Sequence, residues 1–307
     1  MKAVKDLKIG KKQSVDEIVR QMGAGGGFSA KNLALGVDIL EKMLKDKDSL
    51  NFLSFPADII STGLRGVIKD MVKKKWFSLL ITTCGTLDHD LARSFKDYYQ
   101  GSFDVDDAEL HRKGINRIGN VFVPNESYGI IIEDKMQKWL KEIYSERKEF
   151  STQEFCWEIG KRLKDDSILY WAWKNSIPVI VPGITDGAVG YQLWQFYQLH
   201  KDLKIDLLKD EQLLNDLTWR AKHSGALVIG GGISKHHTIW WAQFAKGLDS
   251  AVYITTAQEY DGSLSGARTR EAISWGKLKE KAKHVTIDGD ATIILPIVFS
   301  SLLERLP

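Results

Sequence analysis

The chain has 307 residues, 43% of them hydrophobic and 27% charged, with a net charge of +3. Such proportions fit an ordinary globular protein large enough for one large α/β domain or two small ones. No polybasic tail points to nucleic acid, and the two cysteines, Cys84 and Cys156, lack the spacing of a disulfide framework or a zinc site, so no metal is expected.

The opening run MKAVKDLKIGKK has no apolar core of the kind a secretion signal carries, which gives a cytoplasmic expectation. Ser14 and Glu17 stand at capping-box spacing and predict a short helix to Met22. The cluster Gly23-Ala24-Gly25-Gly26-Gly27 breaks it, and from Ala30 the residues Leu33, Val37, Leu40 and Leu44 mark one helical stripe. Residues 1–28 therefore read as a hinged N-terminal helical arm, and 29–307 as a Rossmann-like domain.

Short apolar runs at 50–55, 77–82, 178–181, 226–229, 251–255 and 284–287 predict strands. Helical patterns at 63–75, 87–98, 187–200, 211–223, 235–246 and 269–283 fall between or after them. Such alternation predicts an α/β fold with a mostly parallel sheet and helices on both faces. Residues 96–148 show weak periodicity and read as an irregular insertion, and the apolar stretch 291–303, which contains Pro296, is too short to span a bilayer.

Ligands of parallel sheets bind beyond the carboxyl ends of the strands, where this sequence has small or polar turns. These are PADIIST (56–62), TCGTLDHD (83–90), PGITDGAVG (182–190), GGGISKHH (230–237) and TAQEYDGS (256–263). None fits G-x-G-x-x-G with an acid about 20 residues on, and each read alone is as well explained as a tight strand-to-helix connection.

The segment 256–283, TAQEYDGSLSGARTREAISWGKLKEKAK, carries the most chemistry. A helix over 269–283 would stack Glu271 over Trp275, with Lys277 half a turn on. An acid and a ring face suit a cationic ligand, and a lysine amine suits covalent catalysis through an imine. The plain alternative is a core tryptophan beside the solvated basic face formed by Lys277, Lys279, Lys281 and Lys283.

The runs TAQEYDGS, SGAR and EAISWGK, together with GINRIGN, VPN and GDATIILP, resemble the deoxyhypusine synthase family across roughly residues 15–296. That resemblance implies an NAD-dependent transferase that moves the butylamine group of spermidine to one lysine of the hypusine-bearing translation factor. It implies Lys277 as the imine-forming lysine and His236 as a substrate contact and proton shuttle. It implies a polyamine site at Glu271, Trp275, Asp88, His89, Tyr191, Gly262 and Leu264. For NAD it implies Asp58, Ser61, Thr83, Cys84, Gly85, Asp186, Gly230, Gly232, Thr256, Ala257, Asp290 and Ala291. A homotetramer, with the N-terminal helix covering a neighbour's entrance, is likewise implied, with no nucleic acid or membrane partner.

The sequence departs from the family where His89, Tyr191 and Leu264 stand in place of acids and Asp58 in place of asparagine. The departures leave open another amine donor such as agmatine, a small-molecule acceptor as in homospermidine synthesis, or a non-enzymatic NAD-binding paralogue.

Overall fold

In the computed structural model, which describes residues 1–306, the chain divides into two interleaved units. The first comprises Met1–Phe55, Trp76–Ile81 and the chain from Leu213 onward; the second comprises Pro56–Lys75 and Thr82–Gln212. The fold is α/β with a mostly parallel sheet.

In the first unit, strands lie side by side in the order Leu278–Asp288, Leu248–Thr255, His223–Ile229, Ser49–Ser54 and Leu79–Ile81. All four pairings between them are parallel. The central strands are buried along nearly their whole length, as parallel strands covered on both sides are. Adjacent residues of one strand show the covering. The Asn51 side chain donates to the Met43 carbonyl of helix Phe28–Lys45, while Phe52 and Ala242 of helix Gly232–Phe244 line one small cavity. Successive strand side chains point to opposite faces, so these two helices cover opposite faces of the sheet.

The expected helix over 269–283 is not there. It is a single turn, Glu271–Ser274, followed by strand Leu278–Asp288. The lysine run has period two, and exposed Lys281 and Lys283 alternate with half-buried Ala282 and His284, which is a strand pattern at the end of the sheet order. Lysines suit such an edge because a solvated charge discourages pairing with another chain. The helix expected over 211–223 is likewise Leu207–Arg220, and His223 already belongs to the next strand.

The helix expected in the N-terminal arm runs over Val15–Gly25 with a full Ser14–Glu17 capping box, and Gly26 ends it at φ +70°. It lies on its own unit: Asp16 accepts from Ser301 at 2.7 Å and from Arg305, whose guanidinium also reaches Asp38 and Glu41. The stretch carrying Pro296 lies within helix Ala291–Arg305, and among the described residues no helix is long and apolar enough to cross a membrane.

The second unit is held by buried carboxylates that take up helix amides. Asp90 accepts from the Ile168 and Leu169 amides, the Ser167 hydroxyl and Arg65. Asp88 accepts from the Ala188 and Val189 amides, and Asp210 from those of Thr152 and Gln153. The first amides of a helix lack internal partners, and a carboxylate there gains from both hydrogen bonds and the helix dipole. The stretch 83–90, expected as a turn, is itself helix Cys84–Arg93, so the helix expected over 87–98 begins and ends earlier. The middle region is regular as well. Strands Ile115–Ile118 and Val121–Pro124 form a hairpin across Gly119-Asn120, Tyr99–Gln100 adds a third strand, and helix Gly129–Glu146 follows. Gly119 has φ +57°, which a two-residue hairpin turn requires.

Candidate active site

In the first unit three neighbouring parallel strands end together. The Gly230 amide donates to the Ile254 carbonyl at 2.8 Å, and the Gly289 amide to the Thr255 carbonyl at 3.0 Å. This brings Gly230, Gly232, Thr256, Ala257, Asp290 and Ala291 to one sheet edge. Gly230 and Gly232 have φ of +67° and +74°, and a Cβ on Gly232 would meet open space. Gly231 is needed for closeness instead, because a Cβ there would lie 2.3 Å from Ser265 Cα. Helices Gly232–Phe244 and Ala291–Arg305 start at this edge, the second capped by Asp290. Open glycine backbone and helix N-termini at strand ends form a cradle that suits a dinucleotide pyrophosphate.

Beside this edge the loop 256–268 is fastened from below. Lys235, 1% exposed, donates to the carbonyls of Leu264 and Ala267, each at 2.7 Å. Its ammonium lies 4.4 Å from the centre of the Tyr253 ring. Burial pushes the Lys235 pKa down to about 8, while the nearby Glu271 carboxylate pulls it back up. Burial and Glu271 also raise the Tyr253 phenol, whose hydroxyl has no hydrogen-bond partner among the described residues.

Lys277 follows Gly276, whose φ of +68° turns the chain from the one-turn helix into the edge strand. Its amide donates to the Ala272 carbonyl at 2.9 Å and its carbonyl accepts from Leu248 at 3.0 Å, so its backbone is fixed on both sides. The side chain is 8% exposed and its Nζ lies 5.2 Å from the Trp275 ring centre; that ring is 66% exposed. Lys277, Trp275, Glu271, Leu264, Lys235 and Tyr253 together line a cavity of about 30 Å³. His236, on the exposed side of its helix, stacks on Trp240 at 5.7 Å. Burial, and then the charge of Lys277, lower its pKa. Gly262, φ +75°, is exposed at the tip of the loop and lies outside the cavity's lining.

The second unit holds the remaining expected residues. Asp58 is exposed on the turn Ala57–Ser61, and Gly85 packs so closely on Ala57 that a Cβ would come within 2.8 Å of the alanine methyl. Thr83 precedes helix Cys84–Arg93, and Asp186 is exposed just before helix Ala188–Leu199. Three expected side chains are turned to other work. The Cys84 thiol is fully buried, the Ser61 hydroxyl donates to the Asp58 carbonyl at 2.6 Å, and both Asp88 oxygens are occupied by amides and the Tyr128 hydroxyl.

His89 and Tyr191 line a cleft of about 780 Å³. Its other walls include Asn116, Asn125, Tyr128 and Glu133. His89 is bonded to the Tyr98 hydroxyl at 2.9 Å, and burial together with Arg93 pushes its pKa down to about 4. The sequence gives these walls no chemistry of their own, although Asn125 ends the VPN run and Tyr128 follows it closely. Lys235 and Tyr253 were also missed: a lysine beside two histidines and a tyrosine inside a strand carry no pattern of their own.

The family model for deoxyhypusine synthase matches residues 17–302. The chain belongs to the deoxyhypusine synthase family. A Picrophilus torridus protein named a probable deoxyhypusine synthase is 56% identical over 302 residues, covering 98% of this chain and 97% of its own. A Thermoplasma acidophilum protein of the same name is 53% identical over 301 residues, again covering 98% and 97%. A solved Entamoeba histolytica structure provisionally assigned to deoxyhypusine synthase is similar in fold, with a TM-score of 0.66 over 97% of this chain and 96% of that one, at 21% identity. Membership of the deoxyhypusine synthase family makes this chain one of a family of transferases, and it draws attention to the buried lysine described above.

Proposed function

We propose that this protein is an NAD-dependent aminoalkyl transferase that carries its alkylamine cargo as an imine on Lys277. The observation that supports this most is Lys277 itself: a nearly buried amine with a fixed backbone, beside an aromatic face and an acid, in a chain of this family. Gly230, Gly232, Thr256 and Ala257, and Asp290 with Ala291, all of the first unit, are the residues proposed to hold NAD. When bound, NAD supplies a hydride acceptor for the donor's carbon–nitrogen unit and returns that hydride to the product.

The protein's own residues do the rest. Lys277 must be neutral to add to the oxidised donor carbon, and His236, its own pKa lowered, is a base able to take the proton. As the Lys277 nitrogen–carbon bond forms, the donor's other amine leaves with a proton and an enzyme imine remains. Trp275 and Glu271 hold the chain and its terminal ammonium, since a ring face attracts a cation by about 0.5–2 kcal/mol. An acceptor lysine then displaces Lys277 by the same exchange. Spermidine as donor, the hypusine-bearing translation factor as acceptor and a cytoplasmic homotetramer belong to the same proposal.

A second donor reading has its own support. His89, uncharged above about pH 4, and exposed Tyr191 offer no anion, and Leu264 is apolar. The same imine chemistry on another amine, or with a small-molecule acceptor, fits those residues. A purely non-enzymatic role fits less well, because Lys277, Trp275 and Glu271 remain assembled around one cavity.

The test is intact-protein mass spectrometry after incubation with NAD and spermidine, then borohydride, for wild type and Lys277→Arg. One added butylamine unit on wild type alone supports both imine and donor. An adduct only with a different amine moves the donor, and no adduct with any amine removes the transferase reading.

A further inference from the structure

A second cavity of the first unit, about 530 Å³, opens at the amino ends of the strands whose carboxyl ends form the cradle. An irregularity in the sheet accompanies it. From Leu248 to Ser250 the inner strand advances two residues while the edge strand advances five, from Leu278 to Lys283, so the extra residues bulge from the ladder. Bulges of this kind re-aim side chains and recur beside functional sites. Just past the bulge, Ser250 and Lys283 are register partners. Further along the same two strands, Val252 and Ile287 both crowd Gly36 of helix Phe28–Lys45. Side chains two apart in a strand share a face, so Ser250 and Lys283 also face that helix. The helix brings Lys42 and the apolar residues Leu35, Ile39 and Met43 to the same cavity.

The charges of this lining differ in what they have left to offer. Asp249 accepts from Lys279 at 2.6 Å and from the Ser224 amide at 3.0 Å. Asp38 accepts from Arg305 at 2.6 Å, and Asp46 is bonded to His223 at 2.7 Å. The ammonium groups of Lys42 and Lys283 make no ion pair or hydrogen bond among the described residues. We infer that this cavity binds a small amphipathic anion, its carboxylate or phosphate held by Lys42 and Lys283 and its apolar body seated on Leu35, Ile39 and Met43. Contacts from both lysines are charge-assisted, and they bridge the helix to the bulged edge strand. The apolar body gains by leaving water for the side chains of the helix. This site lies apart from the cradle, and it stands whether or not Lys277 forms an imine.

Calorimetric titration of the full-length protein with hexanoate, hexyl phosphate and hexylamine tests this. Wild type is expected to bind one or both hexyl anions, and to bind hexylamine at least about tenfold more weakly. The two anions compared with each other separate carboxylate from phosphate. Lys42 and Lys283 are exposed, so a Lys42→Gln, Lys283→Gln double variant keeps the interior intact. It should weaken anion binding at least about tenfold. Leu35, 42% exposed, can be changed to serine equally safely, and Leu35→Ser should weaken binding of the hexyl chain. Hydrogen exchange locates the ligand, because a bound anion should slow exchange across the bulge at 279–283. Four results overturn the proposal: neither anion binds, hexylamine binds as tightly, the double variant binds as well as wild type, or the slowed exchange lies only in other segments.

Discussion

Lys235 holds its ammonium 4.4 Å from the centre of the Tyr253 ring while donating to the carbonyls of Leu264 and Ala267. A strand residue thus supports a buried cation that ties a surface loop to the helix after the glycine turn. Hydrogen bonds from a charged donor contribute about 1.5–3 kcal/mol each, offset here by the cost of keeping the charge out of water. Lys235→Met is expected to lower unfolding stability by about 2 kcal/mol and to speed proteolytic cleavage within 256–268. Urea unfolding and limited proteolysis measure the two effects. A stable variant with an unchanged cleavage rate would show that the loop is held by its other contacts.

Asp88 makes a similar argument in the second unit. Its carboxylate accepts from two helix amides and one phenol, an arrangement that a side-chain amide cannot copy, since its nitrogen would face a donor. Asp88→Asn should cost roughly 2–3 kcal/mol, the penalty of a buried donor left without an acceptor. It should also loosen the start of helix Ala188–Leu199, which carries Tyr191. Hydrogen exchange at the Ala188 and Val189 amides would report this directly. Protection equal to wild type would count against the carboxylate as their anchor.

How much of this was legible in the sequence follows from which forces were local. The Ser14–Glu17 capping box, the glycine turn after His223–Ile229 and the parallel alternation depend on neighbours in sequence, and they were read from it. The lysine run 277–283 has the period of a strand, but the helix expected from Thr269 was carried through it, and sheet pairing to Leu248–Thr255 decided the outcome. Asp88 was expected at a ligand because its distant partners, Ala188 and Val189, lie 100 and 101 residues away. Tyr253 was hidden as well, because its contact with Lys235 is made across the fold and not between sequence neighbours. Lys277 was legible by resemblance, whereas its burial and fixed backbone came from the fold.

Two imidazoles give the protein an acid-sensitive interior. Burial, and then Arg93, push the His89 pKa down to about 4; burial, and then His236, do the same to His237. The unfolded chain, with histidines near 6.5, binds protons that the folded chain refuses. The stability these groups contribute is therefore complete above about pH 6.5 and is lost as pH falls toward 4. Each unit of depression corresponds to about 1.4 kcal/mol, so the two groups together represent several kcal/mol. Urea midpoints at pH 7 and 4.5 should fall further for wild type than for a His89→Gln, His237→Gln double variant. An equal fall in both proteins would assign the acid sensitivity to carboxylates instead.

Gly231 offers the sharpest test of the cradle at the strand ends. Its φ of −155° is open to any residue, so conformation is no obstacle to replacement. Space is the obstacle, because a Cβ would come within 2.2 Å of Ser265 Oγ and 2.3 Å of Ser265 Cα. The backbone of the loop 256–268 must then move, and with it Leu264, which lines the cavity beside Lys277. Gly231→Ala is expected to weaken NAD binding at least about tenfold and to reduce borohydride trapping on Lys277 in parallel. Ser265→Gly in the same chain removes the Oγ contact but leaves the backbone one, so it should restore only part of the loss. Fluorescence titration with NADH of wild type and the two variants measures this. Wild-type affinity in Gly231→Ala would mean that the loop yields freely and that its close approach to the glycine turn does not shape the cofactor site.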